Sequence, residues 1–429
     1  MKQKIIRDPV HNYIAIEEPW LGLLDSRETQ RLRHIHQLGV SYFTYPGATH
    51  TRLAHTLGVF HLMRQAVEHL RQIEVPMEDD QRDGLLAGAI VHDIGHGPFS
   101  HLLEGRLGGN HEDWTRKIIQ DDSTEIGRRL KAEGLTDRVA GLFGEPDPKT
   151  PRWMHNLISS QLDVDRMDYI QRDSHFTGAG YGHFDQYRIL NTMELEDDLR
   201  HVDQATPTKH LAWPENSKYA IEECIIARFY LYQAVYFHKF TRGYEKLLQA
   251  IWDRAKALIR KGVRIKTYGS IRVFLLNDGG TVYDYLRLTE YDLLASIHEW
   301  SAGRDPVLAD LCGRFLARRG FKQIICDSSP RLAWADRVIE ARKHLSRQGD
   351  PFASSPESYL LDDAGGVHGY RPYRWGEREE TNPIILKGNC EISEKLTRLR
   401  SVTVKEDFQR YYCPREHAAK LAPILKGTG

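Results

Sequence analysis

The sequence predicts a mainly α protein with a smaller α+β region toward its C-terminal end. Three observations carry this. From Thr51 the apolar positions Leu53, Leu57, Phe60, Val67 and Leu70 recur at the spacing of one helix face. Residues 81–96 read as a largely buried helix that stops at Gly95-His96-Gly97-Pro98. Residues 216–261 read as one or two long helices, whereas strand-like patches such as Arg272-Val273-Phe274-Leu275-Leu276 are confined to the mixed stretch 263–325.

The remaining elements follow in chain order. Residues 5–18 alternate loosely around Asp8-Pro9 and predict a short hairpin or extended arm. Residues 26–38 read as a helix that Ser26 can cap, and Gly39, Pro46 and Gly47 mark a loop after it. Short helices are expected over 99–107 and 111–120, and a longer one over 153–174. Residues 346–383, rich in Gly, Pro, Ser and charge, read as a long loop or insertion, and the last 45 residues as a small α/β lobe. The chain thus divides into residues 1–215, the long helices of 216–262, and an α+β lobe over 263–429.

Composition narrows the function classes. Lys+Arg and Asp+Glu both number 59 among the 429 residues, so net charge gives no steering toward nucleic acid or membrane. Nucleic acid stays open as a partner. No apolar run approaches the ~18 residues needed to span a bilayer, and Met1 to Asp8 lacks a hydrophobic leader. The five cysteines at 224, 312, 326, 390 and 413 form no CxxC pair, which suits a reducing cytoplasm and argues against a cysteine zinc site. Histidine is the informative count: 15 of the 21 lie within the first 201 residues. Imidazole is the commonest transition-metal ligand and the usual acid or base near neutral pH, so the N-terminal half is the chemical half.

The firmest candidate is the dyad His92-Asp93, which ends the buried helix. A charged Asp there is costly unless something pairs with it, and a divalent cation of the Mn, Fe, Zn or Mg kind would do so. Adjacent helical residues point about 100° apart, so both can reach one ion beside the helix but cannot complete its coordination. His55, early on the preceding helix, and Asp165 are candidates for the remaining ligands. Asp165, Tyr169 and Asp173 recur every four residues and share one polar face that could line a cleft. After the dyad come His96, His101 and His111. Glu104 follows His101 by three, placed to orient that imidazole and raise its pKa, so that it could protonate a leaving oxygen.

Arg52-x-x-His55, then His92-Asp93-Ile94-Gly95-His96-Gly97-Pro98-Phe99-Ser100-His101, then Asp163-Val164-Asp165-Arg166 resemble the HD-domain deoxynucleoside triphosphate triphosphohydrolases. Asp8-Pro9-Val10-His11, the stretch Gln30 to Gly39, Pro46-Gly47-Ala48 and the run Arg228 to Lys239 also fit, so the likeness covers roughly residues 4–250. The resemblance implies an HD-domain helical core over 1–215 with an N-terminal regulatory arm, completed by the helices of 216–262. It implies metal ligands at His55, His92, Asp93 and Asp165. Arg52, Arg166, Arg228 and Lys239 would meet phosphates. His96, His101 and His111 would surround the scissile α-phosphate, with His101 as general acid. Gln37, Leu38, Tyr169, Asp173 and Tyr236 would fit the sugar of a dNTP.

The resemblance also implies a guanine-nucleotide effector, GTP or dGTP, at Lys4, Asp25, Gln30 and Arg33, and assembly into a dimer or tetramer. Asp185 and Arg188 would belong to a second effector site. Two positions depart from the family pattern: Arg166 stands for Lys, and Glu104 for Asp; Arg and Lys are not interchangeable at a phosphate. Two other function classes stay open. One is another HD phosphohydrolase: a nucleotide phosphatase, a phosphodiesterase or a nuclease. The other is a non-catalytic nucleotide-sensing protein.

Overall fold

A computed structural model describes residues 3–144, 149–198, 208–325, 331–367, 370–371, 382–396, 398–403 and 406–427. The chain opens with the antiparallel hairpin β1 (Gln3–Asp8) and β2 (Asn12–Glu17), in register from Gln3 opposite Glu17 to Asp8 opposite Asn12. Ser26 then accepts a hydrogen bond from the Thr29 amide as predicted, but the helix it caps is short. It runs over Arg27–Gln30 and tightens into a 3₁₀ turn over Arg31–His34. The expected continuation to residue 38 is lost because the backbone there pairs elsewhere: Gln37 N donates to His50 O at 3.0 Å, and Arg52 N to Ile35 O at 3.0 Å.

Two helices form the centre. Helix α1 (Arg52–Gln72) packs along α2 (Asp79–Val91). Every residue of α2 from Gly84 to Val91 is buried. Each fully buried Leu, Ile or Val contributes about 1.5–3 kcal/mol, so this face fixes both the axis and the rotation of α2 and carries the following His92-Asp93 into the interior.

Beyond the dyad two expected helices differ. Over 99–107 only Ser100–Leu102 forms a 3₁₀ turn, because Phe99 (φ 55°) and Ser100 (φ 52°) both adopt the left-handed conformation that interrupts a helix. Helix α3 (His111–Gln120) follows as expected. The stretch 153–174 is two helices, Arg152–Ile158 and α4 (Val164–Thr177), because Asp163 caps the second by accepting from Arg166 N at 2.7 Å. The long helical region is α5 (Lys218–Leu231), a π-turn over Tyr232–Tyr236, and α6 (Lys239–Arg260).

The strand-like patch Arg272–Leu276 is helical, inside Ile271–Asn277; Ile271, Phe274 and Leu275 are the buried positions, at helical rather than alternating spacing. The expected loop over 346–383 contains a strand, Leu361–Val367, while 368–369 and 372–381 lie outside the described residues. That strand flanks the central Glu406–Cys413, with Lys322–Ile325 on the other side, in an antiparallel sheet. A second sheet orders Glu194–Asp197, Lys209–Trp213, Ile385–Leu386 and Cys390–Glu391. One apolar cluster runs continuously from Ile14 to Leu425, so the later half packs onto the histidine-rich half.

That packing reaches the chemistry through Glu290, which is 1% exposed. Its carboxylate accepts from His36 N at 3.0 Å and Phe99 N at 3.3 Å, and pairs with the His36 imidazole. This hydrogen bond raises the His36 pKa above its ordinary 6.5, against the opposing effect of burial. A histidine pKa raised by folding contributes stability that is complete below pH 6.5 and is lost as pH climbs through the folded-state value. Urea unfolding from about pH 6 to pH 9 should therefore show stability falling more steeply with pH in the parent than in His36→Gln. Parallel curves would contradict this pairing.

Candidate metal centre and substrate cavity

His55 on α1, His92 and Asp93 at the end of α2, and Asp165 on the first turn of α4 converge. His55 Nε2 lies 2.8 Å from Asp165 Oδ1 and 4.0 Å from Asp93 Oδ2; His92 Nε2 lies 3.4 Å from Asp93 Oδ1 and 4.0 Å from Asp165 Oδ1. The two Nε2 atoms face one another at 3.3 Å. Their outer nitrogens are both committed: His55 Nδ1 meets Asp168 Oδ2 at 2.6 Å, and His92 Nδ1 meets the Ala89 carbonyl at 2.9 Å. Both outer partners are acceptors, so each ring carries a proton on Nδ1 and turns its Nε2 inward. Two inward imidazole nitrogens with carboxylate oxygens beside them are, once the inner nitrogens are deprotonated, a good donor set for a cation.

The electrostatics agree. Burial opposes a charge on His55, yet Asp165 and Asp168 push its pKa up to about 10, so this point favours positive charge. Asp93 is held well below the usual carboxylate range: burial opposes its charge, but Arg52 and the imidazoles of His92 and His96 outweigh it. Arg52 Nη1 donates to Asp93 Oδ2 at 2.6 Å, and its Nε donates to Ser100 Oγ at 2.8 Å.

The turn after the dyad is pinned on every side. Thr115 Oγ1 accepts from Gly95 N and donates to His92 O; buried Arg31 donates to the carbonyls of Ile94 and His96; Tyr285 OH donates to Gly95 O at 2.6 Å. A Cβ on Gly95 would fall 2.0 Å from the His111 carbonyl oxygen, so only glycine allows α3 this close. That approach stacks His96 on His111, with ring centroids 4.0 Å apart. Glu104 takes hydrogen bonds from His101 Nδ1 at 2.9 Å and from His111 Nδ1. Burial opposes charge on all three groups named next. Glu104 is nonetheless held far below its ordinary range by His101 and His111, and His111 is raised by Glu104; His96 is driven well down and stays neutral. The His101 side chain is 66% exposed.

A cavity of about 470 Å³ opens over this centre. Of the residues singled out from sequence, Gln37, Leu38, Arg52, His92, Asp93, His96, His101, His111, Asp165, Tyr169, Asp173 and Tyr236 line it. Asp173 accepts from Tyr236 OH at 2.7 Å and pairs with His50 Nε2 at 2.7 Å. Arg166, Arg228 and Lys239 are not on the lining. Arg166 Nε turns back to Asp163 Oδ2 at 3.2 Å, Arg228 lies behind Tyr169 and Tyr232, and Lys239 is exposed at the start of α6. Glu104 sits one step behind the lining.

Sequence reasoning missed Tyr232, Phe237, Arg242, Glu245 and Gln249, which also line the cavity. The signal was present in part: Arg242, Glu245 and Gln249 share one face of α6 by spacing. Arg242 is anchored by Asp363, a buried aspartate on the strand Leu361–Val367, so the C-terminal sheet shapes the cavity wall. The four effector candidates form two pairs. Lys4 Nζ lies 2.7 Å from Asp25 Oδ2, Arg33 Nε donates to Gln30 Oε1 at 2.6 Å, and Gln30 Nε2 donates to Leu24 O. Asp185 caps the helix Gln186–Asn191 through Arg188 N, and Arg188 Nε donates to Asn216 O.

The model of the HD domain matches residues 52–173, from the arginine beside the metal cluster to the aspartate bound by Tyr236. The protein YwfO of Bacillus subtilis is 36% identical over 92% of this chain and 87% of its own length. The chain belongs to the HD-domain family. A crystal structure of a phosphohydrolase from Bacteroides thetaiotaomicron superposes with a TM-score of 0.82 at 28% identity, covering 96% of this HD-domain chain and 100% of that one. The deoxynucleoside triphosphate triphosphohydrolase SAMHD1 of Gallus gallus is 28% identical over 62% of this chain, and the match spans 48% of its own length. Among the described residues, no helix is long and apolar enough to cross a membrane.

The donor set sets a direct expectation. Purified His55→Ala and Asp93→Ala should carry background levels of divalent metal by elemental analysis, while Asp25→Ala, at the far effector cluster, retains the parent's content. Stoichiometric metal in Asp93→Ala would contradict the assignment.

Proposed function

We propose that this HD-domain protein is a metal-dependent phosphohydrolase that cleaves deoxynucleoside triphosphates to deoxynucleoside and inorganic triphosphate. The observation that carries the reading is one cavity that joins His92, Asp93 and Asp165 of the candidate metal cluster, the exposed His101 and the Tyr169–Asp173–Tyr236 group. Its volume lies within the range of small-ligand sites. The deoxynucleoside triphosphate triphosphohydrolase activity for which the SAMHD1 relatives are named agrees with it.

His55, His92, Asp93 and Asp165 would hold the metal. When bound, the ion would polarise a phosphoryl oxygen and acidify a water at the α-phosphorus. Arg52, fixed by Asp93 and Ser100, offsets negative charge on the phosphate beside it. His101, oriented by Glu104, gives a proton to the departing 5′ oxygen as the bond from phosphorus to that oxygen breaks. Neutral His96 donates or accepts without adding charge at the reaction centre. Asp173, held by Tyr236 and His50, presents a fixed acceptor edge to the sugar hydroxyls, with Gln37 and Leu38 also on the cavity wall. Lys4, Asp25, Gln30 and Arg33 would take a guanine nucleotide as effector, the nucleotide assembling a homo-oligomer.

One observation favours a second reading. Of the four cations expected to meet a triphosphate, only Arg52 lines the cavity, with Arg242 as an unexpected addition. A shorter phosphate chain needs fewer cations, which suits a nucleotide phosphatase, phosphodiesterase or nuclease built on the same centre. Product analysis separates the two. Each dNTP, incubated with Mn or Mg and with or without GTP, should yield free triphosphate and deoxynucleoside by ³¹P spectroscopy and chromatography. Orthophosphate or pyrophosphate as the sole inorganic product, or turnover only of an added oligonucleotide, would overturn the triphosphohydrolase reading.

A further inference from the structure

We infer that the N-terminal hairpin is a positioning element of the metal centre, acting through a buried chain of charge from Asp8 and His11 to Arg172, Asp168 and His55. The inference rests on the metal-site reading above and extends it to residues outside the cavity.

Asp168 and Arg172 sit on successive turns of α4, and both are wholly buried. Asp168 Oδ2 meets His55 Nδ1 at 2.6 Å and Arg172 Nε at 2.8 Å; its Oδ1 meets His11 Nε2 at 2.7 Å and Arg172 Nη2 at 2.9 Å. The far side of the Arg172 guanidinium donates to Asp8, with Nη1 at 2.8 Å from Oδ2. Asp8 is the last residue of β1, and its Oδ1 also accepts from the amides of Val10 and His11, which shape the hairpin turn. The hairpin is itself tied to α1 by Arg64, whose Nη1 donates to Ala15 O at 2.7 Å.

Each part constrains the next. The Asp168 carboxylate fixes the plane and tautomer of His55 and so aims Nε2 at the cluster. An aspartate buried this deeply needs full pairing; four donor contacts from three residues supply it, and two of those residues depend on the hairpin. The closeness is enforced by Gly58 on α1, where a Cβ would lie 1.8 Å from Asp168 Oδ1. Removing Asp8 or His11 leaves every metal ligand in place and loosens the group that orients one of them. Partners of metal-bound imidazoles typically change metal affinity 10–100-fold when removed. The strand that ends at Asp8 also carries Lys4, so the effector cluster and the metal centre share one mechanical element.

The test is Mn affinity by calorimetry on the full chain, with thermal unfolding recorded for each variant. Asp8→Asn and His11→Ala should each weaken Mn binding about 10-fold; His11→Gln, which keeps a donor, should recover part of the loss. The His11 side chain is only 6% exposed, so the thermal unfolding of His11→Ala and the His11→Gln comparison separate lost packing from lost orientation of Asp168. Arg254→Gln, which breaks the Arg254–Asp305 pair far from the centre, should lower stability without changing Mn affinity. A parent that binds Mn and hairpin variants that bind it equally well would overturn this inference alone. A parent that binds no divalent ion would overturn the metal reading and this inference with it.

Discussion

Two imidazoles inside the protein turn their Nε2 atoms toward the same spot, and two carboxylates face that spot as well. Their Nδ1 atoms are committed outward to Asp168 and Ala89, which leaves the two Nε2 atoms and the carboxylate oxygens to face one another. Desolvated carboxylates and unmatched acceptors are among the costliest groups to bury. A cluster of this composition could hold a cation, and much of the surrounding structure fixes its geometry.

The support comes from distant parts of the chain. The apolar face of α2 delivers the dyad, and Thr115, Arg31 and Tyr285 fasten the backbone turn that follows. Glu290 ties the Phe99 amide to the 3₁₀ turn near His36, beside two successive left-handed residues. Asp363 anchors Arg242 at the cavity wall. The region after residue 262 is thus neither a separate lid nor a spectator. It supplies the clamps that keep the His96–His101 loop and the α6 wall in register with the ligands, which is how a helical core with little local regularity around its centre stays ordered.

Much of this was legible in the sequence because it is local. Helical spacing found α1 and α2, and the buried dyad at a glycine-rich stop found the metal candidates. The i, i+3 relation of His101 and Glu104 and the i, i+4 relation of Asp165, Tyr169 and Asp173 survive as contacts or as shared cavity lining. What was not legible is long-range. Nothing near Arg27–Gln30 says that the following residues will pair with 50–52 and end the helix. Nothing near Arg272 separates a short buried helix from a strand, because both read as an apolar run. The reach of Asp8 to Arg172, of Glu290 to Phe99 and of Asp363 to Arg242 joins residues more than a hundred positions apart. The arginines matched by motif fared unevenly for a related reason: a motif gives a position on a helix, while the rotation of Arg166 and Arg228 away from the cavity is set by Asp163, Tyr169 and Tyr232.

The central claim is that the point between His55, His92, Asp93 and Asp165 is a cation site. Anomalous diffraction from crystals of the protein grown with Mn addresses it directly. The account predicts one strong anomalous peak within bonding distance of His55 Nε2, His92 Nε2 and the carboxylates of Asp93 and Asp165. A featureless map at that point, with the two imidazoles still facing each other, would contradict it.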